Sequence, residues 1–286
     1  MTVTHFEIRE TSKFYNEKCW GSSGPYKRID GIVHFSVDPS NPANNGIIDL
    51  DKAELNEEKR VPFSSDFTLV TPINQDPVRL LVDVTNRGRK KAFQDFNMSN
   101  INGTLGHDID PGDGFLFKSG FGILSLGWQF DVYRKNGLLG MKAPLVLENG
   151  KPVIGSNSVE IRPTVEMKEF LLADRTHIPY PSASLSKEGA YLMVRDWEDG
   201  PDTLIPPSEW AFAKNDSKHS IPSKNHIFLN SGFQPGKIYN FVYKATGAVV
   251  TGTTLLSVRD TGSWIRNSSK TPFFDKPPRY LYAYGV

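Results

Sequence analysis

Two short stretches carry side chains and backbone donors placed for acyl chemistry. Asn86-Arg87-Gly88 follows the apolar run Val78–Val84 and precedes Arg89–Phe96, where Phe93 and Phe96 share one side of a short helix. N–H groups at such a strand-to-helix turn, next to the positive end of a helix, can stabilise an oxyanion. Asn86, Arg87 and Gly88 are therefore oxyanion-loop candidates, against the plainer reading of a turn with a helix start. Gly127-Trp128-Gln129 closes a second apolar run, Phe121–Leu126. Ligands of open parallel sheets sit beyond the carboxyl ends of the strands. Gly127, Trp128 and Gln129 are accordingly candidates for substrate contact, against plain rim packing by the indole. The cations Arg87, Arg89, Lys90 and Lys91 could meet a substrate carboxylate, but a solvated basic helix end is the simpler reading.

Other chemistry-bearing residues point less far. The six histidines, at 5, 34, 107, 177, 219 and 226, are scattered and make no metal pattern. His34 alternates with apolar neighbours and reads as structural. Asp108, Asp110 and Asp113 lack the spacing and the downstream glutamate of a calcium loop. Cys19 is the single cysteine, with no partner for a disulfide or a metal site. Asn97, Asn102, Asn215 and Asn267 open Asn-x-Ser/Thr triplets, read here as accidents of composition. Ser182, Ser184 and Ser186 lack the glycines that frame a nucleophile. No metal and no cofactor is expected.

Composition narrows the class. A net charge of +1 with no basic block argues against nucleic acid and anionic membranes as partners. No apolar stretch approaches the ~20 residues of a membrane span. The start of the chain lacks the basic and apolar regions of a signal peptide, so the cytoplasm is the expected compartment.

The elements that must position the candidates divide into four segments. Residues 1–75 alternate as an N-terminal β-meander, with strands over Ile32–Val37, Ile47–Leu50 and Phe67–Val70. Residues 76–139 read strand, helix, strand, the pattern of a parallel sheet. Residues 140–250 return to alternation and turns and are too long for a loop, which predicts a β-rich inserted subdomain. Residues 251–286 hold a helix over Leu255–Ile265 and a closing run, Arg279–Val286, expected as a fully buried parallel strand. Gly285-Val286 would suit the first two residues of a Gly-x-Ser-x-Gly nucleophile elbow.

Eight short stretches in order give a resemblance. They are Gly24–Gly31 with His34-Phe35, Asp38–Asn44 with Ile48–Leu50, Ser65–Phe67, Asp83–Arg89, Pro111–Leu116, Gly127–Gln129, Phe233–Tyr239 and Val258–Asp260. Together they resemble the large "alpha/beta hydrolase domain" proteins, a family of serine-hydrolase-like enzymes. The resemblance implies an α/β fold: an incomplete α/β-hydrolase sheet with an N-terminal β-meander and a large β-rich insertion. It implies a chain that forms the N-terminal part of a serine ester hydrolase working through an acyl-enzyme. Such a parent acts on a small ester-like molecule. The nucleophile, acid and histidine would all lie after Val286, leaving no catalytic residue in the chain and the fragment inactive. A second reading is a complete β-rich module that binds carbohydrate or protein, with Trp128, Trp197 and Trp210 as surface platforms. A third, hydrolysis by an internal serine, is weaker. Oligomeric state is not legible.

Overall fold

The computed structural model describes residues 2–100, 109–175, 177–216, 219–269 and 271–286. The chain divides into two compact units, residues 1–144 with 250–286, and residues 145–249. Strand accounts for 41% and helix for 15%, with three α-helices among the described residues. The expected α/β-hydrolase class is therefore wrong. The protein is mostly β, with several separate sheets. One strand–helix–strand passage was extended in the sequence reading to a whole parallel sheet, but its two helices have only 7 and 4 residues. Helices so short cannot cover both faces of a parallel sheet.

The first unit begins with β1 (Val3–Lys13), β2 (Tyr26–Val37), β3 (Val61–Pro72), β4 (Arg79–Val84), α1 (Lys91–Asn97), α2 (Phe115–Lys118), β5 (Phe121–Leu126) and β6 (Met141–Lys142). The second unit supplies β7 (Leu147–Glu148), β8 (Lys151–Pro152), β9 (Ile154–Ile161), β10 (Met167–Leu171), β11 (Tyr191–Arg195), β12 (Thr203–Ile205), β13 (Trp210–Ala211), β14 (Ala213–Asp216), β15 (His219–Pro222), β16 (His226–Phe233) and β17 (Ile238–Thr246). The chain returns to the first unit with α3 (Gly252–Asn267) and β18 (Tyr280–Gly285).

The sheet of the first unit runs in the order β1-β2-β3-β5-β4-β18, with β6 added against β3. Its β1–β2, β2–β3 and β3–β5 pairs are antiparallel, and only β5–β4 and β4–β18 are parallel. One face carries Phe6 and Phe67, which meet the Phe273 ring edge-on, while Phe6 also packs against Trp264 of α3. The other face carries Tyr26, Val70, Leu81 and Ile123, covered by Phe93 of α1, Leu116 and Phe117 of α2, and Trp20. Gly31 in β2 is required by a close crossing. A Cβ there would stand 2.1 Å from the Glu7 carbonyl oxygen and 2.9 Å from the Phe67 ring.

Two expected strands behave differently. Ile47–Leu50 is a turn running into the 3₁₀ helix Leu50–Lys52, because Asp49 takes a left-handed conformation that no strand accepts. β18 is an edge strand with Tyr280 and Tyr282 exposed at 41% and 46%, and not a buried core strand. A continuous apolar run is compatible with either place in a sheet, since Tyr carries its own polar end.

The second unit is antiparallel throughout its β9–β17 and β10–β16 ladders. Sheets β12-β11-β17-β9 and β10-β16-β13 contribute to one core around Trp210, Phe212, Phe233, Phe241 and Tyr243. Trp210 meets Phe241 edge-on at 5.1 Å between ring centroids.

Candidate functional site

The carboxyl ends of β5, β4 and β18 come out at one edge, since Val84 is paired with both Leu126 and Gly285. All six candidate residues lie on the two loops leaving this edge. Two hydrogen bonds tie these loops to each other, and a third ties Asn86 to the end of β18. The Asn86 amide donates to the main-chain oxygen of Val286 at 2.7 Å. The Arg87 N–H donates to Gln129 Oε1 at 2.7 Å. The Trp128 indole N–H donates to the Thr85 carbonyl at 2.6 Å. Arg87 also pairs with Asp131 at 2.6 Å. An incoming oxyanion would therefore reach the Arg87 N–H only by displacing the Gln129 amide oxygen. Gly88, at φ +81°, packs under the neighbouring loop, where a Cβ would stand 2.8 Å from the Leu139 carbonyl oxygen. Leu139 returns an N–H bond to the Gly88 carbonyl at 3.0 Å.

Just inside this edge lies a row that the sequence reading missed. Glu10, Asp30, Thr68, Ser125, Asp83 and Tyr284 are consecutive ladder partners, one from each of β1, β2, β3, β5, β4 and β18. Paired residues share a face of the sheet, so a polar rung crosses the sheet. It lies one side-chain step from the apolar rung Val70–Ile123–Leu81. Thr68 donates to Asp30 at 2.6 Å, and Ser125 donates to Asp83 at 2.7 Å. Asp83 also accepts the Ala92 N–H at 3.2 Å, which fixes the first turn of α1 over the rung. Tyr284 donates to Asp95 at 2.7 Å, a bond that pushes its hydroxyl up to about 12.

Two cations attend the rung. Lys90 is fully buried and donates to the Gly137 carbonyl at 2.7 Å, so it is no solvated helix end as the sequence suggested. Arg28, on β2, is held by Asp30 at 2.6 Å. Burial pushes the Asp83 carboxyl up to about 7, opposed by its bonds from Ser125 and Ala92. Burial brings the Lys90 ammonium down to about 8, helped by the like charge of Arg28 and opposed by Asp30 and Asp83. Buried ionisable groups of this kind concentrate at functional sites, though structural networks perturb protons too. The signal available in the sequence was a lone carboxylate inside the apolar run Val78–Val84.

The remaining candidates are dispersed. His34 stacks on His5 with 4.4 Å between centroids and contacts Glu7 at 3.0 Å. Asp110 bonds inside its own loop, to Asn100 and Gly112 N–H groups, while Asp108 lies outside the described residues. Asn97 is buried and caps α2 through the Leu116 N–H at 2.9 Å. Asn102 lies outside the described residues. Trp210 is a core residue and no surface platform, whereas Trp197 is 59% exposed. Among the described residues no cluster of three His, Cys, Asp or Glu is placed to hold a metal ion. No described helix is long and apolar enough to cross a membrane.

Neither a family model, nor a curated protein, nor a solved structure matches this chain.

Proposed function

We propose that the first unit forms the substrate side of a serine-type ester hydrolase working through an acyl-enzyme. The observation that carries this reading is the common exit of β5, β4 and β18, which gathers Asn86–Gly88, Gly127–Gln129 and Val286 at one edge. Gln129 and Trp128 would line the acyl group, and the Arg87 N–H would meet the oxyanion once Gln129 gives way. The nucleophile this chemistry calls for is a serine presented at this edge, next to Val286. The test is fluorophosphonate labelling of the 286-residue chain and of a chain continued through its own reading frame. The continued chain is expected to label on a serine near Val286, and the shorter chain not to label. Stoichiometric labelling of the shorter chain, or none of the longer, overturns the proposal. So does a reading frame that stops at Val286.

One observation favours a second reading, glycan binding by the second unit. Trp197 exposes its ring, Gly200 backs it with Cβ space only 3.1 Å from the indole, and Arg162 pairs with Glu198 at 2.5 Å beside it. Retention of the chain on immobilised glycans, abolished by Trp197→Ala, would support this. Unaltered elution sinks it.

A further inference from the structure

A groove of about 480 Å³ opens on the sheet face over the first half of the polar rung. Its floor is Arg28, Asp30, Asp66 and Thr68, and its far wall is the loop Arg134–Leu139. Glu10 stands at its β1 rim. This volume suits a small metabolite.

The decisive feature is an imbalance of unused hydrogen-bonding capacity. Both carboxylates of the floor are already engaged by a guanidinium. Asp30 accepts Thr68 at 2.6 Å and Arg28 Nη2 at 3.0 Å on one oxygen, while Arg28 Nε stands 2.6 Å from the other as an ion-pair contact. Asp66 takes the Arg134 guanidinium through both oxygens and the Gly140 N–H at 3.1 Å. Donors, by contrast, remain. Arg134 donates both Nε and Nη2 to Asp66, Arg28 donates Nη2 to Asp30 with its Nε as an ion-pair contact only, and Nη1 of each has no partner among the described residues. The Lys135 ammonium lies 5.2 Å above the Tyr133 ring and forms no ion pair among the described residues. Of the carboxylates lining the groove, only Glu10 has no partner among the described residues.

A site with surplus charged donors on floor and wall, and one acceptor at the rim, is matched by an anion bearing a donor at its other end. We propose that this groove binds a small carboxylate or phosphate, held by Arg28, Arg134 and Lys135, with a hydroxyl or amino group turned to Glu10. Charge-assisted bonds from a planar guanidinium suit both oxyanions. Fixing the guanidiniums by their aspartates removes the entropy cost of ordering them on binding. The fully buried Lys90, bonded to Gly137 of the same wall, adds a positive field beneath the site. The inference does not depend on ester hydrolysis, since it uses other residues and needs no nucleophile.

The test is a titration of the folded chain, at constant ionic strength, followed by amide shifts of Gly31 and Gly137. Inorganic phosphate, acetate, glycolate and ethylammonium chloride are the probes. Phosphate and acetate separate the two oxyanions. Glycolate is expected to bind at least threefold more tightly than acetate through its hydroxyl. Lys135→Ala is exposed enough to leave the fold intact and is expected to weaken the better oxyanion at least threefold. Arg28→Lys keeps the charge but removes the free Nη1 donor that the Asp30 pair holds in place, with at least a tenfold loss expected. Absence of saturable shifts up to 100 mM phosphate, acetate and glycolate overturns the proposal. So does ethylammonium binding as tightly as the anions, or a folded Lys135→Ala chain that binds them unchanged.

Discussion

Ser125 donates its hydroxyl to Asp83 at 2.7 Å across the parallel β5–β4 pair, with both side chains fully buried. A carboxylate in that place must be hydrogen-bonded or protonated, because an unpaired buried charge is costly. The pair therefore links the centre of the first unit to proton activity.

The direction of that link can be worked out. Burial lifts the Asp83 carboxyl to about 7 in the folded chain, from an ordinary 3.8 in the unfolded one. Between these values the folded chain holds the extra proton, so the group's contribution to stability is present at low pH and lost as pH rises through about 7. Lys90 acts in another window: from about 8 to 10.5 the unfolded chain holds more protons, and stability gains as pH rises. Asp83→Asn keeps an acceptor for the Ala92 N–H and stays uncharged. Urea unfolding at pH 5 and pH 7.5 is expected to show a flatter pH dependence in the variant, with stability at pH 7.5 at or above the parent's. Equal slopes in parent and variant would refute this assignment.

Gly88 sets the spacing of the two loops at the strand-end edge. Gly88→Ala places a methyl 2.8 Å from the Leu139 carbonyl oxygen, at φ +81°. A loss of about 2–3 kcal/mol is expected from overpacking and backbone strain together. Gly21→Ala is the control, because Gly21 has a positive φ of +58° but nothing within 4 Å of the added methyl. Its cost is about 1 kcal/mol. Similar losses for the two variants would contradict close packing at Gly88.

Gln129 and Asn86 make bonds of equal length but different burial. Gln129→Ala leaves the part-buried Arg87 N–H without its partner and is expected to cost about 1–2 kcal/mol. Asn86→Ala, at an exposed bond, should cost under about 0.5 kcal/mol. Thermal melts of the two variants check the order, and a larger loss for Asn86→Ala would reverse the account.

The two tryptophans of the second unit should separate even more clearly. Trp210→Ala opens a hole beside Phe212 and Phe241, for about 3–5 kcal/mol. Trp197→Ala, at an exposed ring, should change stability by no more than about 0.5 kcal/mol. Denaturant midpoints decide the matter.

What the sequence disclosed was local. Alternation in Ile32–Val37 and Phe67–Val70, and the short links around Val78–Val84 and Phe121–Leu126, marked segments that lie inside β2, β3, β4 and β5. Asn86–Gly88 and Gly127–Gln129 were legible as strand exits because glycine and polar residues follow apolar runs. Strand direction was not legible, since β3 pairs antiparallel with β5 while β4 pairs parallel with it. The polar rung was hidden for a related reason. Its members are far apart in the chain, and each looks alone like an ordinary polar residue within a strand. Lys90 misled because three neighbouring cations gave it the look of a solvent-facing run.

The pairing of β4 with β18 joins Arg79 to Tyr280, with the whole second unit made in between. Leu145 and Val249, the ends of that unit, form an antiparallel bridge. Until the unit folds, bringing β18 to β4 means closing a very long flexible loop, and the closure entropy must be met before any ladder bond forms. Once the unit is folded, its ends are already side by side and the remaining search is short. The order of events on the ribosome follows: β1 to β5 emerge first, the second core gathers next, and β18 arrives last. Weakening Trp210 should thus slow completion of a sheet in which Trp210 takes no part.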